Sequence, residues 1–277
     1  MKRFFILASA AIVALASCAK TEVVYKDAPE QIAFKQITGA MTKAFGNSTT
    51  LGVFAYKNSD KHFENLEFAH NGTAWTNSDA FWPYEGALTF TVYAPKGTAS
   101  LAGDVLTLTG VEANEDLYYG AGKYTASKTD GNAPVDVVLK HVSAKVTVNC
   151  NLAAPYQLVS LTLMEACTGA DVTVDYSSST VAVTGTQVKE NLDVTTTSTQ
   201  YVLPGNQTYF TIVFKQGDLS FSQNIALSST WVANHAYTYN ITVNAPDQIF
   251  ISASVDSAGW QNGGTVNETV SSEPELS

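Results

Sequence analysis

The sequence predicts an all-β protein, and three observations carry that expectation. Apolar and polar residues alternate over stretch after stretch, the period-2 mark of half-buried strands. Thr, Ser, Val, Tyr and Ala are abundant while charged residues make up only 14%, a balance that favours strands. No window carries a helical stripe of useful length.

Taken in chain order, the first element stands apart from the rest. Lys2 and Arg3 precede an apolar run over residues 4–16, too short for the roughly 18–20 residues that cross a bilayer. This is the layout of a secretory signal. Leu15-Ala16-Ser17-Cys18 resembles the lipobox of bacterial lipoproteins, which implies cleavage of residues 1–17 and lipid on Cys18. Residues 18–30 then form a polar tether, and the first strand begins near Gln31.

The strands that follow are marked by alternation. The clearest run is 141–152, with Val142, Ala144, Val146, Val148, Cys150 and Leu152 on one face and His141, Ser143, Lys145, Thr147, Asn149 and Asn151 on the other. Similar runs occur at 88–94, 135–139, 159–163, 209–213, 219–227, 237–243 and 249–255. Asn71-Gly72 and Asp130-Gly131 are favoured hairpin turns, and Pro95-Lys96-Gly97, Ala154-Pro155-Tyr156 and Pro204-Gly205 mark further breaks. About a dozen short strands at this spacing suit two stacked sandwiches. The N-terminal sandwich is expected over 31–140, the C-terminal one over 141–260, and a polar tail over 261–277.

Charge narrows the partners. Beyond residue 17 the chain carries 13 lysines, no arginine and 25 carboxylates, a balance of −12. An acidic chain without arginine lacks the usual grip on phosphates, which argues against nucleic acid. Cys150 and Cys167 remain after Cys18. A hairpin at 154–156 would put Cys150 opposite a residue near 160, so two free buried thiols are favoured over a disulfide.

No catalytic constellation emerges. HExxH, GxSxG and CxxC are absent, and the four histidines show no metal-ligand spacing. Gly120-Ala121-Gly122-Lys123 departs from a phosphate loop, with Tyr124 in place of Ser or Thr and Leu117 in place of the first glycine. Neither an enzyme nor a cofactor or metal is expected. Trp75, Trp82 and Tyr84 are a candidate sugar-stacking platform, although such clusters more often pack in a core.

Several stretches in order resemble the fimbrillin family, the type V pilins and related surface lipoproteins of Bacteroidales. They are the lipobox, Gln31-Ile32-Ala33-Phe34, Leu51-Gly52-Val53-Phe54-Ala55-Tyr56, Phe81-Trp82-Pro83, Leu139-Lys140-His141-Val142-Ser143-Ala144-Lys145-Val146 and Tyr237-Thr238-Tyr239-Asn240-Ile241. The resemblance implies two transthyretin-like sandwiches in a fimbrial subunit or fimbria-associated lipoprotein acting in adhesion at the outer membrane and cell surface. It also implies a protease cut in the loop after the first strand, followed by replacement of that strand by one from another subunit. Stalk subunits commonly carry arginine at the cut; here Lys43 occupies the corresponding place. The implied partners are other copies or other fimbrial subunits, a membrane reached through the lipid, and a host or bacterial surface ligand. The alternative is a monomeric surface lipoprotein that binds a glycan or host ligand.

Overall fold

The alternating segments fold as strands, several of them longer than their patterns. A computed structural model of the protein describes residues 30–36, 49–115, 117–128, 133–206, 209–227 and 230–257, with the backbone of 268–271. The signal peptide, Cys18, all of the tether except Glu30, and Lys43 lie outside the described residues, as does the Asp130-Gly131 turn. Among the described residues there is no helix. The strands in chain order are β1 (Gln31–Gln36), β2 (Leu51–Lys57), β3 (Asp60–His70), β4 (Trp75–Phe81), β5 (Ala87–Ala94), β6 (Ala99–Ala102) and β7 (Val105–Glu112). Then follow β8 (Tyr118–Gly120), β9 (Tyr124–Ser127), β10 (Val135–Val137), β11 (Leu139–His141), β12 (Ala144–Leu152), β13 (Gln157–Asp175) and β14 (Thr180–Asp193). The last are β15 (Thr199–Val202), β16 (Gly205–Asn206), β17 (Tyr209–Gln216), β18 (Leu219–Ala226), β19 (Thr230–Trp231), β20 (Ala236–Ala245), β21 (Gln248–Asp256) and β22 (Glu268–Ser271).

The first sheet has the order β10-β1-β4-β3-β2-β5-β8-β11, with β9 beside β5. It folds over on itself, because Phe34 of β1 meets Phe90 of β5 edge to face at 5.1 Å although three strands separate them. Ile32, Phe34, Val53, Phe68, Leu88 and Phe90 are among the residues of the enclosed core. The reverse face of β2 and β5 is covered as well. Leu51, Val53 and Ala55 face the first core, while Phe54 and Tyr93 belong to a second. Burial on both faces explains the unbroken apolar run of β2, which lacks a polar side.

That second core joins the first sheet to a second one of order β18-β17-β13-β7-β6, with β14 along the other side of β13. Leu106 and Leu108 of β7 and Ala170, Val172 and Val174 of β13 supply its far wall. A third core lies between the N-terminal half of β13, with β17, and the sheet β15-β12-β20-β21-β22. Val146 of β12, Ile212 of β17, Tyr239 of β20 and Ile251 of β21 meet there.

The expected runs at 88–94, 209–213, 219–227, 237–243 and 249–255 correspond to β5, β17, β18, β20 and β21. Five details differ from the sequence reading. His141 and Ser143, assigned to the polar face of one long strand, are 4% and 3% exposed. The chain bends at 142–143, and Val142 enters the second core while β12 starts at Ala144 in the third. The turn at 154–156 is present, yet β12 and β13 lie in different sheets and do not form a hairpin. The run expected at 135–139 is two strands, β10 beside β1 and β11 beside β8. Glu268–Ser271, inside the stretch expected as a polar tail, pairs with β21. The boundary expected near Lys140 falls in β11, and β7, which precedes it, pairs with β13, which follows it.

Candidate functional site

The site builds up from β1. Ile32 and Phe34 are 0% exposed and Ala33 between them is also buried, whereas Gln31 and Lys35 face solvent. The Phe34 ring sits edge-on to Phe68 at 5.0 Å and to Phe90 at 5.1 Å, the favoured geometry for aromatic pairs. β1 has neighbours on both edges. It runs antiparallel to β4, with Ala33 opposite Thr76 and Phe34 opposite Trp75, and parallel to β10, with Phe34 opposite Val135 and Gln36 opposite Val137. Before the strand, Trp82 N–H donates to Glu30 O at 2.9 Å, and Glu30 Oε1 lies 3.3 Å from Lys128 Nζ.

Without β1, two buried side-chain pockets and the facing backbone groups of β4 and β10 would be left unfilled. Unpaired backbone groups away from water are costly, so the slot admits only another extended strand with apolar residues two apart. The first strand was expected from the resemblance at Gln31-Ile32-Ala33-Phe34, but its second neighbour was not. Val135 and Val137 are three-residue β10's only buried positions, a run too short to reveal which strand it joins.

β21, whose alternation fits such a slot, has both edges occupied, by β20 and β22, and keeps Ile249, Ile251 and Ala253 in its own core. β22 makes only four register pairs and sits at the end of its sheet.

The three aromatics expected as a sugar platform do not share a surface, which corrects that expectation. Trp75 is 5% exposed, lies edge-on to His70 at 4.6 Å and donates from Nε1 to Thr49 O at 2.8 Å. Trp82 is 8% exposed and lies edge-on to Phe90 at 5.7 Å. Tyr84 alone is exposed, at 84%. The two indoles pack in the core that holds β1.

Both Cys150 and Cys167 are free thiols. Burial pushes Cys150 up to about 11 and also raises Cys167, whose Sγ lies 3.8 Å from Gly169 O. Thiols held protonated in this way are poor nucleophiles. Among the described residues no group of three or more His, Cys, Asp or Glu is placed to hold a metal. Lys123, in the stretch that departs from a phosphate loop, pairs with Asp104 and donates to Gly103 O at 2.9 Å.

Comparison with known proteins bears on the family and the fold. A family model described as fimbrillin-like matches residues 38–257. Among curated proteins none matches the chain. Among solved structures, a candidate cell adhesion protein from Bacteroides uniformis is 18% identical, with a TM-score of 0.58 over 83% of this chain and 99% of that one. A fimbrial assembly protein from Parabacteroides distasonis is 12% identical, with a TM-score of 0.53 over 87% and 99%. A fimbrial protein from Bacteroides vulgatus is 13% identical, with a TM-score of 0.52 over 84% and 100%. At these identities the likeness is one of fold.

Proposed function

The chain belongs to the fimbrillin-like family, and from that premise we propose that it is a surface fimbrial subunit that assembles by replacement of its first strand. In this reading it is exported as a lipoprotein, held at the outer membrane by lipid on Cys18, and cut after Lys43. Its role is structural and adhesive, with no catalysis. The observation that carries the reading is β1 itself: a short strand filling a slot between β4 and β10, with Ile32 and Phe34 fully buried.

The chemistry of exchange follows from that arrangement. Lys43 is the lone basic residue between Lys35 and Lys57, in a stretch rich in Gly, Thr, Ser and Asn, the composition at which proteases act. After a cut there, β1 is held to the sheet by non-covalent contacts alone. A strand from another subunit that buries two side chains like Ile32 and Phe34 gains roughly 3–6 kcal/mol gross, besides backbone pairing on both edges. The donor is assigned to the C-terminal part of the neighbouring subunit. β21 carries the apolar residues two apart that the slot requires, Ile249, Ile251 and Ala253, and would leave its own core to be donated, whereas β22 offers a single apolar residue, Val270.

N-terminal sequencing of protein isolated from the cell surface tests the proposal. Protein in filaments is expected to begin at Ala44, and Lys43→Ala should leave lipid-bearing monomers that begin at Cys18. Filaments built from chains that still begin at Cys18 would overturn the exchange mechanism and favour an uncut anchor subunit.

A further inference from the structure

Five separate stretches of chain converge on a cavity of about 360 Å³. They are β11 with Tyr119 of β8 opposite Lys140, the tip of the β13–β14 hairpin at Ser179 and Thr180, the turn at 232–235, and Ser257 just after β21. The polar lining comes chiefly from Lys140, His235, Asn234, Tyr119, Ser179 and Thr180, and no carboxylate among the described residues lines it. In a chain with 25 carboxylates and 15 basic groups, a cavity with a lysine, a histidine and no acid is a local reversal of sign.

The lining groups offer donors at Lys140, Asn234 and Tyr119 and an acceptor at His235. Lys140 has no hydrogen-bond or ion-pair partner among the described residues. His235 Nδ1 lies 2.9 Å from Ala233 O, which fixes its proton there and leaves Nε2 as an acceptor for a hydroxyl. Asn234 is anchored twice: its N–H donates to Ser143 O at 3.0 Å and its Oδ1 accepts from His141 N–H at 3.1 Å. Its Nδ2 is the donor left over. Burial pushes the Tyr119 phenol up to about 12, so that hydroxyl keeps its proton.

An ammonium beside hydroxyls and an amide matches an anion carried on a hydroxylated ring, because charge-assisted hydrogen bonds hold the anion and neutral ones read the ring. The geometry points to a binding site for an acidic sugar unit, with Lys140 on the carboxylate and Ser179, Thr180 and Asn234 on the ring hydroxyls. The cavity falls at the small end of the about 300–1,000 Å³ range of ligand sites, room for a single sugar unit. The site belongs to the folded subunit and does not depend on strand exchange.

Saturation-transfer NMR on the purified full chain tests this with glucuronic acid, glucose and inorganic phosphate as probes. Transfer to glucuronic acid and none to glucose is expected, with phosphate a weak competitor. Lys140→Gln should weaken glucuronic acid about tenfold, the loss of one charged hydrogen bond, while Lys145→Gln, outside the cavity lining, should change nothing. Should Lys140→Gln disturb the fold, Thr180→Trp at the exposed hairpin tip fills the cavity instead and is expected to abolish transfer. Transfer to neither sugar, equal transfer to both, competition by phosphate as strong as by glucuronic acid, or binding untouched by both variants would each overturn the assignment.

Discussion

Gly52 and Tyr93 sit opposite each other in the β2–β5 ladder, and a Cβ added at 52 would stand 2.2 Å from Tyr93 Cε1. The glycine leaves room for the ring to lie flat across the strand. The Tyr93 hydroxyl then reaches Asn65 Oδ1 at 2.6 Å and Gly97 O at 2.7 Å, and accepts from Gly97 N–H at 3.1 Å. Such single-residue devices were invisible in the sequence, where Gly52 was one letter in an apolar run. The thiols are a simpler case. Cys150 was expected to be free and buried, though the hairpin used to argue it does not exist, since β12 pairs with β15 and β20. Its raised pKa has a consequence for stability. The folded state holds the proton up to about 11 while an ordinary thiol releases it near 9.0. The stabilisation is therefore complete below pH 9 and is lost as pH rises from about 9 to about 11, where only the unfolded chain ionises. Cys150→Ala should flatten that part of the stability–pH curve measured by urea denaturation. A decline of unchanged steepness in the variant would mean that other groups carry it.

β12 tests the assignment of faces at the level of a whole strand. Val146 is 0% exposed in the third core, between Gln200 and Tyr237 on the flanking strands, whereas Thr147 lies on the opposite face with its hydroxyl 3.5 Å from that of Thr199. A carboxylate at 146 would be buried without a partner, at several kcal/mol against a total stability of about 5–15. Val146→Asp should therefore prevent folding, while Thr147→Asp, beside Lys145 on the same face, should shift the denaturation midpoint little. Equal loss in both variants would mean the strand is turned the other way. Strands such as β12, β20 and β21 were legible because one face is buried and the other is not. β14 was not, because most of its residues are exposed and no alternation marks it. β13 was read only over 159–163 of its 19 residues, since it changes partners from β17 to β7 along its length and each half presents a different pattern. The slot strand β1 was legible only through the resemblance, since its burial does not alternate cleanly. Cys18 and Lys43 are expectations from the sequence and lie outside the described residues.

Across the whole molecule, the arrangement differs from two separate sandwiches in one respect. The second core lies between the first sheet and the β7–β13–β14 layer, so the β2–β5 region is packed from both sides. Alternation reports which residues are buried but not against what, and this shared layer could not be read from it. The two outer cores should consequently not melt independently. Val172 of β13 is 0% exposed in the shared core, and Val172→Ala should lower the midpoint of a single calorimetric transition, a change of about 1–3 kcal/mol for two buried carbons. Two resolved transitions, with only one displaced by the substitution, would show that the shared layer does not couple them.

β13 contributes Leu161 and Leu163 to one core and Val172 and Val174 to another, and its 19 residues extend roughly 60 Å at about 3.3 Å each. Tension applied across the molecule is therefore conducted from one core to the other along an uninterrupted covalent strand rather than through a hinge. β14 grips that strand on one side, and β17 and β7 grip it in succession on the other. A pull along its axis loads those ladders in shear, so their hydrogen bonds must fail together instead of opening one after another like a zip. The longest strand is in effect a tendon, and it gives the subunit its stiffest direction.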